Sequence, residues 1–70
     1  MTRYFFHIRG PNYFSEDKTG EAFADDDAAM RSAAIISTDL ESNPDYQSFY
    51  IAVVDNDGRE VGGILIKSKQ

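Results

Sequence analysis

The chain has one histidine, His7, in a run that mixes aromatic and basic residues: Arg3-Tyr4-Phe5-Phe6-His7-Ile8-Arg9. Imidazole is the side chain whose ordinary pKa lies near neutrality, so His7 is the group best suited by type to move a proton at pH 7. General acid–base work also needs a second positioned group, and no nucleophile signature or metal-ligand spacing accompanies His7. The plainer reading is a histidine on the rim of a strand. In an extended backbone Arg3, Phe5, His7 and Arg9 share one face, and Tyr50 from a later strand can join them. Aromatics interleaved with cations on an open sheet can stack and neutralise single-stranded nucleic acid. The same atoms also suit burial against a second protein surface. These five residues form the candidate binding surface.

The acidic residues offer less. Asp55-Asn56-Asp57-Gly58 resembles part of a calcium loop. With Gly58 at the sixth position of an EF-hand, the first position is Val53 and the twelfth is Ile64, and neither can ligate calcium as that loop requires. A hairpin turn with Gly58 at positive φ explains it better. Asp25-Asp26-Asp27 reads as a helix cap followed by charge that complements the macrodipole. Glu16, Asp17 and Glu21 are scattered near a turn. No phosphate-binding glycine loop, H-E-x-x-H or G-x-S-x-G occurs. The expectation is a protein that is not an enzyme, with no catalytic, cofactor-binding or metal-binding residues and no cofactor.

The elements that must position the candidate surface follow from periodicity. Residues 3–9 alternate as a strand with Tyr4, Phe6 and Ile8 toward the core. Gly10-Pro11-Asn12 is a turn, and 13–16 runs back as a second strand. Asp17-Lys18-Thr19-Gly20 is another turn, after which Glu21-Ala22-Phe23 is extended with Phe23 tucked in. Residues 25–42 form the helix, capped by Asp25 and ended by Asn43-Pro44. Its buried stripe is Ala29, Met30, Ala33, Ile36, Ser37 and Leu40, leaving Arg31, Thr38 and Asp39 in solvent. Residues 48–55 form a strand that is apolar on both faces. A hairpin leads to 60–67, where Gly62-Gly63 predicts a bulge or the close approach of another backbone. Lys67 and Lys69 are expected in solvent. The sum is a single α+β domain spanning 1–70: a small antiparallel sheet in the order β-β-α-β-β with one helix packed on one face.

Composition bounds the rest. A chain of 70 residues buries a marginal core, and with no cysteine it has no disulfide to reinforce it. Small scaffolds of this kind often gain stability by oligomerising, which makes a homodimer joined through the sheet the leading expectation. A formal net charge of -5 argues against non-specific binding to a phosphate backbone. No apolar run reaches membrane-spanning length and no signal-peptide pattern opens the chain, so no membrane partner and a cytoplasmic location are expected.

The opening Met1-Thr2-Arg3-Tyr4-Phe5-Phe6-His7-Ile8-Arg9 resembles the start of a family of short uncharacterised bacterial proteins common in rhizobia and related alphaproteobacteria. Members open M-x-R-Y-x-F-H, then carry a D-x-x-G turn, a helix beginning D-x-x-A-A and a hairpin closed by D-x-x-G-R. Here those are Asp17 to Gly20, Asp25 with Ala28-Ala29, and Asp55 to Gly58-Arg59. Gly10-Pro11-Asn12 and Gly62-Gly63 depart from the pattern. The resemblance implies fold and a bacterial cytoplasmic origin, and carries no activity. A second similarity, in architecture alone, is to the partner-binding domain of HicB-type antitoxins. The expected function is therefore a small non-enzymatic binding or regulatory module acting as a homodimer, with an unidentified protein as a further partner. Single-stranded nucleic-acid binding on the outer face of the first strand, or HicB-like partner binding, is the alternative.

Overall fold

The computed structural model describes residues 1–66. The last residue of the strand expected over 60–67, and the tail lysines Lys67 and Lys69, lie outside the described residues.

The chain runs β1 (Thr2–Gly10), β2 (Tyr13–Ser15), β3 (Glu21–Phe23), α1 (Asp26–Glu41), a 3-10 turn (Pro44–Tyr46), β4 (Tyr50–Asp55) and β5 (Glu60–Leu65). The sheet is antiparallel throughout, ordered β2-β1-β4-β5, with β3 also pairing β1. It is an α+β fold with the helix on one face. Glu21-Ala22-Phe23, read from sequence as merely extended, is a true strand of three residues.

β2 and β3 share one edge of β1. β2 pairs the end of β1, from Ile8 with Ser15 to Gly10 with Tyr13. β3 pairs its beginning, from Thr2 with Phe23 to Tyr4 with Glu21. The five-residue loop between them, 16–20, spans the middle. There the Phe6 N–H, which no strand reaches, donates to Asp17 Oδ2 at 3.1 Å. A carboxylate thus stands in for a missing ladder partner, as a partly buried amide requires.

The helix starts where its capping residues dictate. Asp25 is extended (φ -159) and its Oδ1 accepts the Ala28 N–H at 2.8 Å. Asn43 caps the following 3-10 turn, with Pro44 in its first position. Ala29, Ala33 and Ser37 are buried and Ile35 is exposed, so the small residues of the predicted stripe bring the helix close to the sheet. The core joins Tyr4, Ala29, Ala33, Ile51, Val53 and Ile66 with half-buried Phe6, Phe23, Met30, Phe49 and Ile64. Fully burying a side chain such as Ile51 or Val53 stabilises by about 1.5–3 kcal/mol.

One expectation needs correction, and another is met in one of its two forms. The strand expected from residue 48 begins at Tyr50, because Ser48 has φ 69 and a strand cannot run through a left-handed residue. The Gly62-Gly63 pair does sit beside a bulge: Val53 pairs with Gly62 and Val54 with Glu60, leaving Val61 as the extra residue. The close approach, however, is by side chains and not by another backbone. A Cβ on Gly62 would lie 2.9 Å from Met30 Sδ on the helix side, and one on Gly63 would collide with the Tyr50 ring on the other side.

Candidate functional site

With α1 on one face, the opposite face of the sheet carries Phe5, His7 and Arg9 of β1, Tyr50, Ala52 and Val54 of β4, and Leu65 of β5. Register sets Phe5 beside Val54, His7 beside Ala52 and Arg9 beside Tyr50. The Phe5 and His7 rings stack with centroids 6.5 Å apart and 13° between their planes, and Phe14 leans on His7 at 6.0 Å.

At one end, the Arg9 guanidinium lies 5.0 Å from the Tyr50 ring centroid, with Nη2 3.7 Å from Glu60. The Tyr50 hydroxyl donates to Glu60 Oε2 at 2.9 Å, and that bond to a carboxylate holds its pKa above the ordinary value. Tyr50 reaches Glu60 by lying flat over Gly63, which has no Cβ to lift it. Arg3 sits apart, near the far end of β1, with Nη1 donating to the Thr19 carbonyl at 2.9 Å. Of the five candidate residues, the structure thus joins Phe5 with His7 and Arg9 with Tyr50, and leaves Arg3 alone.

At the other end lies an open cleft of about 360 Å³. Phe5, His7 and Val54 floor it. Glu16, Asp17 and Lys18 form one wall, and the β4–β5 turn, through Asp55, Asn56 and Gly58, forms the other.

Both walls are built the same way. Asp17 Oδ1 accepts the N–H groups of Thr19 (3.1 Å) and Gly20 (3.0 Å). Asp55 Oδ1 accepts those of Asp57 (3.0 Å) and Arg59 (2.9 Å). Each turn then ends on a positive-φ glycine, Gly20 (φ 70) and Gly58 (φ 84). Burial pushes the Asp17 pKa up, but the N–H groups of Gly20, Phe6 and Thr19 outweigh it and bring the carboxyl below its usual range. The Arg59 N–H, assisted by that of Asp57 and by the Arg59 guanidinium, does the same for Asp55.

His7 Nδ1 accepts the Asp17 N–H at 3.1 Å. In the neutral ring the proton therefore sits on Nε2. Among the described residues no carboxylate bonds to the ring, so His7 lacks the orienting acid of a catalytic dyad. Nor do three His, Asp or Glu side chains among them converge to hold a metal.

Sequence reasoning did not find a polar network on the helix side. The Tyr4 hydroxyl donates to Asp26 Oδ1 at 2.6 Å, and Arg59 binds both Asp26 Oδ2 (3.3 Å) and Asp55 Oδ2 (3.1 Å). The bond to Asp26 pushes the Tyr4 pKa up to about 12. The bond from Tyr4, with help from Arg59, lowers that of Asp26. Asp26 is thus more than a dipole complement: it fastens the helix start to β1 and to the β4–β5 hairpin. The available signal was Tyr4 itself, whose hydroxyl needs a partner once its ring enters the core.

Residues 3–65 match the family described as a domain of unknown function, DUF6894. Comparison with curated proteins and with solved structures gave no match.

Proposed function

The chain belongs to the DUF6894 family, to which no activity is assigned, and we propose that it is a small non-enzymatic binding module of the bacterial cytoplasm, working as a homodimer joined through its sheet. The bacterial cytoplasmic setting rests on the resemblance of the N-terminal run. The dimer rests on one observation, the inequality of the two sheet edges. The β2/β3 edge is two strands of three residues split by the Asp17 loop, and such an edge resists addition of a further strand. Among the described residues the β5 edge has no outer neighbour, and from Gly62 to Ile66 it carries neither charge nor proline. Leu65 beside it is 53% exposed.

Antiparallel pairing of two β5 edges about a two-fold axis normal to the sheet covers both at once. It also sets both aromatic faces on one side, where they form a doubled surface for a protein partner. An antitoxin-like grip on such a partner is one form of this reading. Single-stranded nucleic acid fits less well. Arg3, Arg9 and Arg59 are each engaged by acceptors of the chain itself, and the net charge is -5.

Light scattering across micromolar to millimolar concentration tests the dimer. The expected mass is twice 7.9 kDa, and Leu65→Lys, an exposed change at the edge, returns it to the monomer. A wild-type mass of 7.9 kDa throughout would sink the proposal.

A further inference from the structure

The two ends of the aromatic face invite comparison. At the Arg9 end the chain brings together three groups: a ring face (Tyr50), a carboxylate (Glu60) and a cation (Arg9) that touches both. At the cleft end it supplies the first two again. Phe5 presents a ring stacked on His7, and Glu16 and Asp17 supply two carboxylates on one wall, while that of Asp55 is turned to the helix side and paired with Arg59. A cation held between ring and carboxylate gains from the ring quadrupole and from the charge together.

The chain's own arginines do not serve this end. Arg59 leans out of the hairpin onto Asp55 and Asp26, and Arg3 is spent on the Thr19 carbonyl. Lys18 lines the cleft from the exposed turn, one ammonium against the two carboxylates of Glu16 and Asp17. The surrounding charge has the same sign, at -5 for the chain. Hydrogen bonds from Thr19, Gly20 and Phe6 fix Asp17, and those from Asp57 and Arg59 fix Asp55, so both walls are preorganised. Glu16 has no ion-pair partner among the described residues and is the wall acid free to turn inward. The volume, about 360 Å³, suits one long side chain with its flanking backbone.

We infer that this cleft receives a basic peptide segment of a partner protein, with one arginine side chain laid over Phe5 and its guanidinium held by Glu16. This rests on the reading of the chain as a binding module and names the chemistry of what it binds. It does not depend on the dimer, because the cleft lies between the Asp17 loop and the β4–β5 turn, away from the Gly62–Ile66 edge.

The test is a titration of the full chain, followed by amide chemical shifts, with a capped decapeptide of alternating arginine and glycine. The control is the same peptide with glutamate in place of arginine. Saturable shifts are expected at Phe5, His7, Asp17, Val54 and Asn56 with the arginine peptide, and none with glutamate. Glu16→Gln, an exposed change that leaves the fold alone, weakens binding roughly two- to fivefold. Phe5→Leu weakens it roughly two- to thirtyfold. Lys18→Ala strengthens it by removing the competing ammonium.

Absence of saturation overturns the inference. So do equal binding of the glutamate peptide and shifts spread evenly over distant acids such as Asp39 and Asp45. Light scattering on the same samples separates the two proposals: a dimer that ignores the arginine peptide refutes the cleft alone, and a monomer that binds it refutes the dimer alone.

Discussion

Removing the Asp17 carboxylate is the sharpest probe of how this sheet is held. In Asp17→Ala the Phe6, Thr19 and Gly20 N–H groups lose their acceptor together. Hydrogen bonds to an ionised acceptor contribute about 1.5–3 kcal/mol when sheltered, and less when wet. The bonds from Phe6 and Gly20 are partly buried and that from Thr19 is exposed, so a loss of about 3 kcal/mol is expected in total. A domain of this length has roughly 3–10 kcal/mol to lose, so the change removes a third or more.

Asp17→Asn is the discriminating variant. Its amide can still accept from Thr19 and Gly20 through oxygen, but it then turns an N–H₂ group toward the Phe6 N–H, donor against donor. It should cost about half as much as alanine and should act mainly on Phe6. Urea unfolding followed by circular dichroism gives the stability, since the chain has no tryptophan to report it. Native-state exchange of the Phe6 amide gives the local term. A loss below about 0.5 kcal/mol for alanine, with Phe6 protection unchanged, would refute the idea that a side chain replaces a strand there.

Four further outcomes follow from the same geometry. Asp17, Asp26 and Asp55 all have folded pKa values below their ordinary 3.8, so their stabilisation is complete above about pH 5 and is lost as pH falls through 4 and below; a thermal midpoint that stays flat from pH 6 to 2 would contradict this. Tyr4 is shifted the other way, from 10.0 to about 12; its contribution is complete below pH 10 and disappears as pH rises toward 12, and Tyr4→Phe should abolish that alkaline step in the unfolding midpoint. Gly20→Ala and Gly58→Ala impose similar left-handed strain, about 1–2 kcal/mol, but only at Gly20 does the new Cβ meet rigid backbone, the Tyr4 carbonyl oxygen at 2.7 Å; Gly20→Ala should therefore be clearly the more destabilising in urea, and equal losses would count against the loop geometry. Phe6→Ala, on the helix side against Phe23 at 5.9 Å, should cost about 3 kcal/mol, and Phe5→Ala on the open face clearly less; equal losses would reverse the face assignment of β1.

What could be read from the chain beforehand was whatever depends on local pattern. Alternation places Tyr4, Phe6 and Ile8 inside, and the capping residues place the helix within a residue of its observed ends. Ile35, which lies beside the predicted helical stripe, is 66% exposed. What sequence could not reveal depends on partners distant in the chain. Asp17 looks like any turn aspartate until the middle of β1 is seen to lack a strand on the side away from β4. Asp26 looks like one of three helix-start acids until Tyr4 and Arg59 are seen to converge on it. The bulge at Gly62-Gly63 was legible, but that Met30 and Tyr50 crowd the pair follows only from the register of β5. Three residues are too few for β3 to show a period. The cleft, too, requires two turns far apart in sequence to face each other across Phe5.

The central place of β1 has a consequence for how the protein is made. β1 is synthesised before the other strands, yet its long neighbour, β4, pairs it only from Tyr50 through Asp55. Until those residues exist, one whole side of an aromatic strand is unmatched, and the helix has no β4 or β5 to lie on. A chain cut before Tyr50 should therefore be unfolded and prone to associate. The short β2/β3 edge, which follows β1 at once and is closed by the Asp17 carboxylate through loops of only a few residues, is the one cover available early. Its cost in chain length is small, and until β4 emerges it keeps the sticky β1 strand occupied on one side.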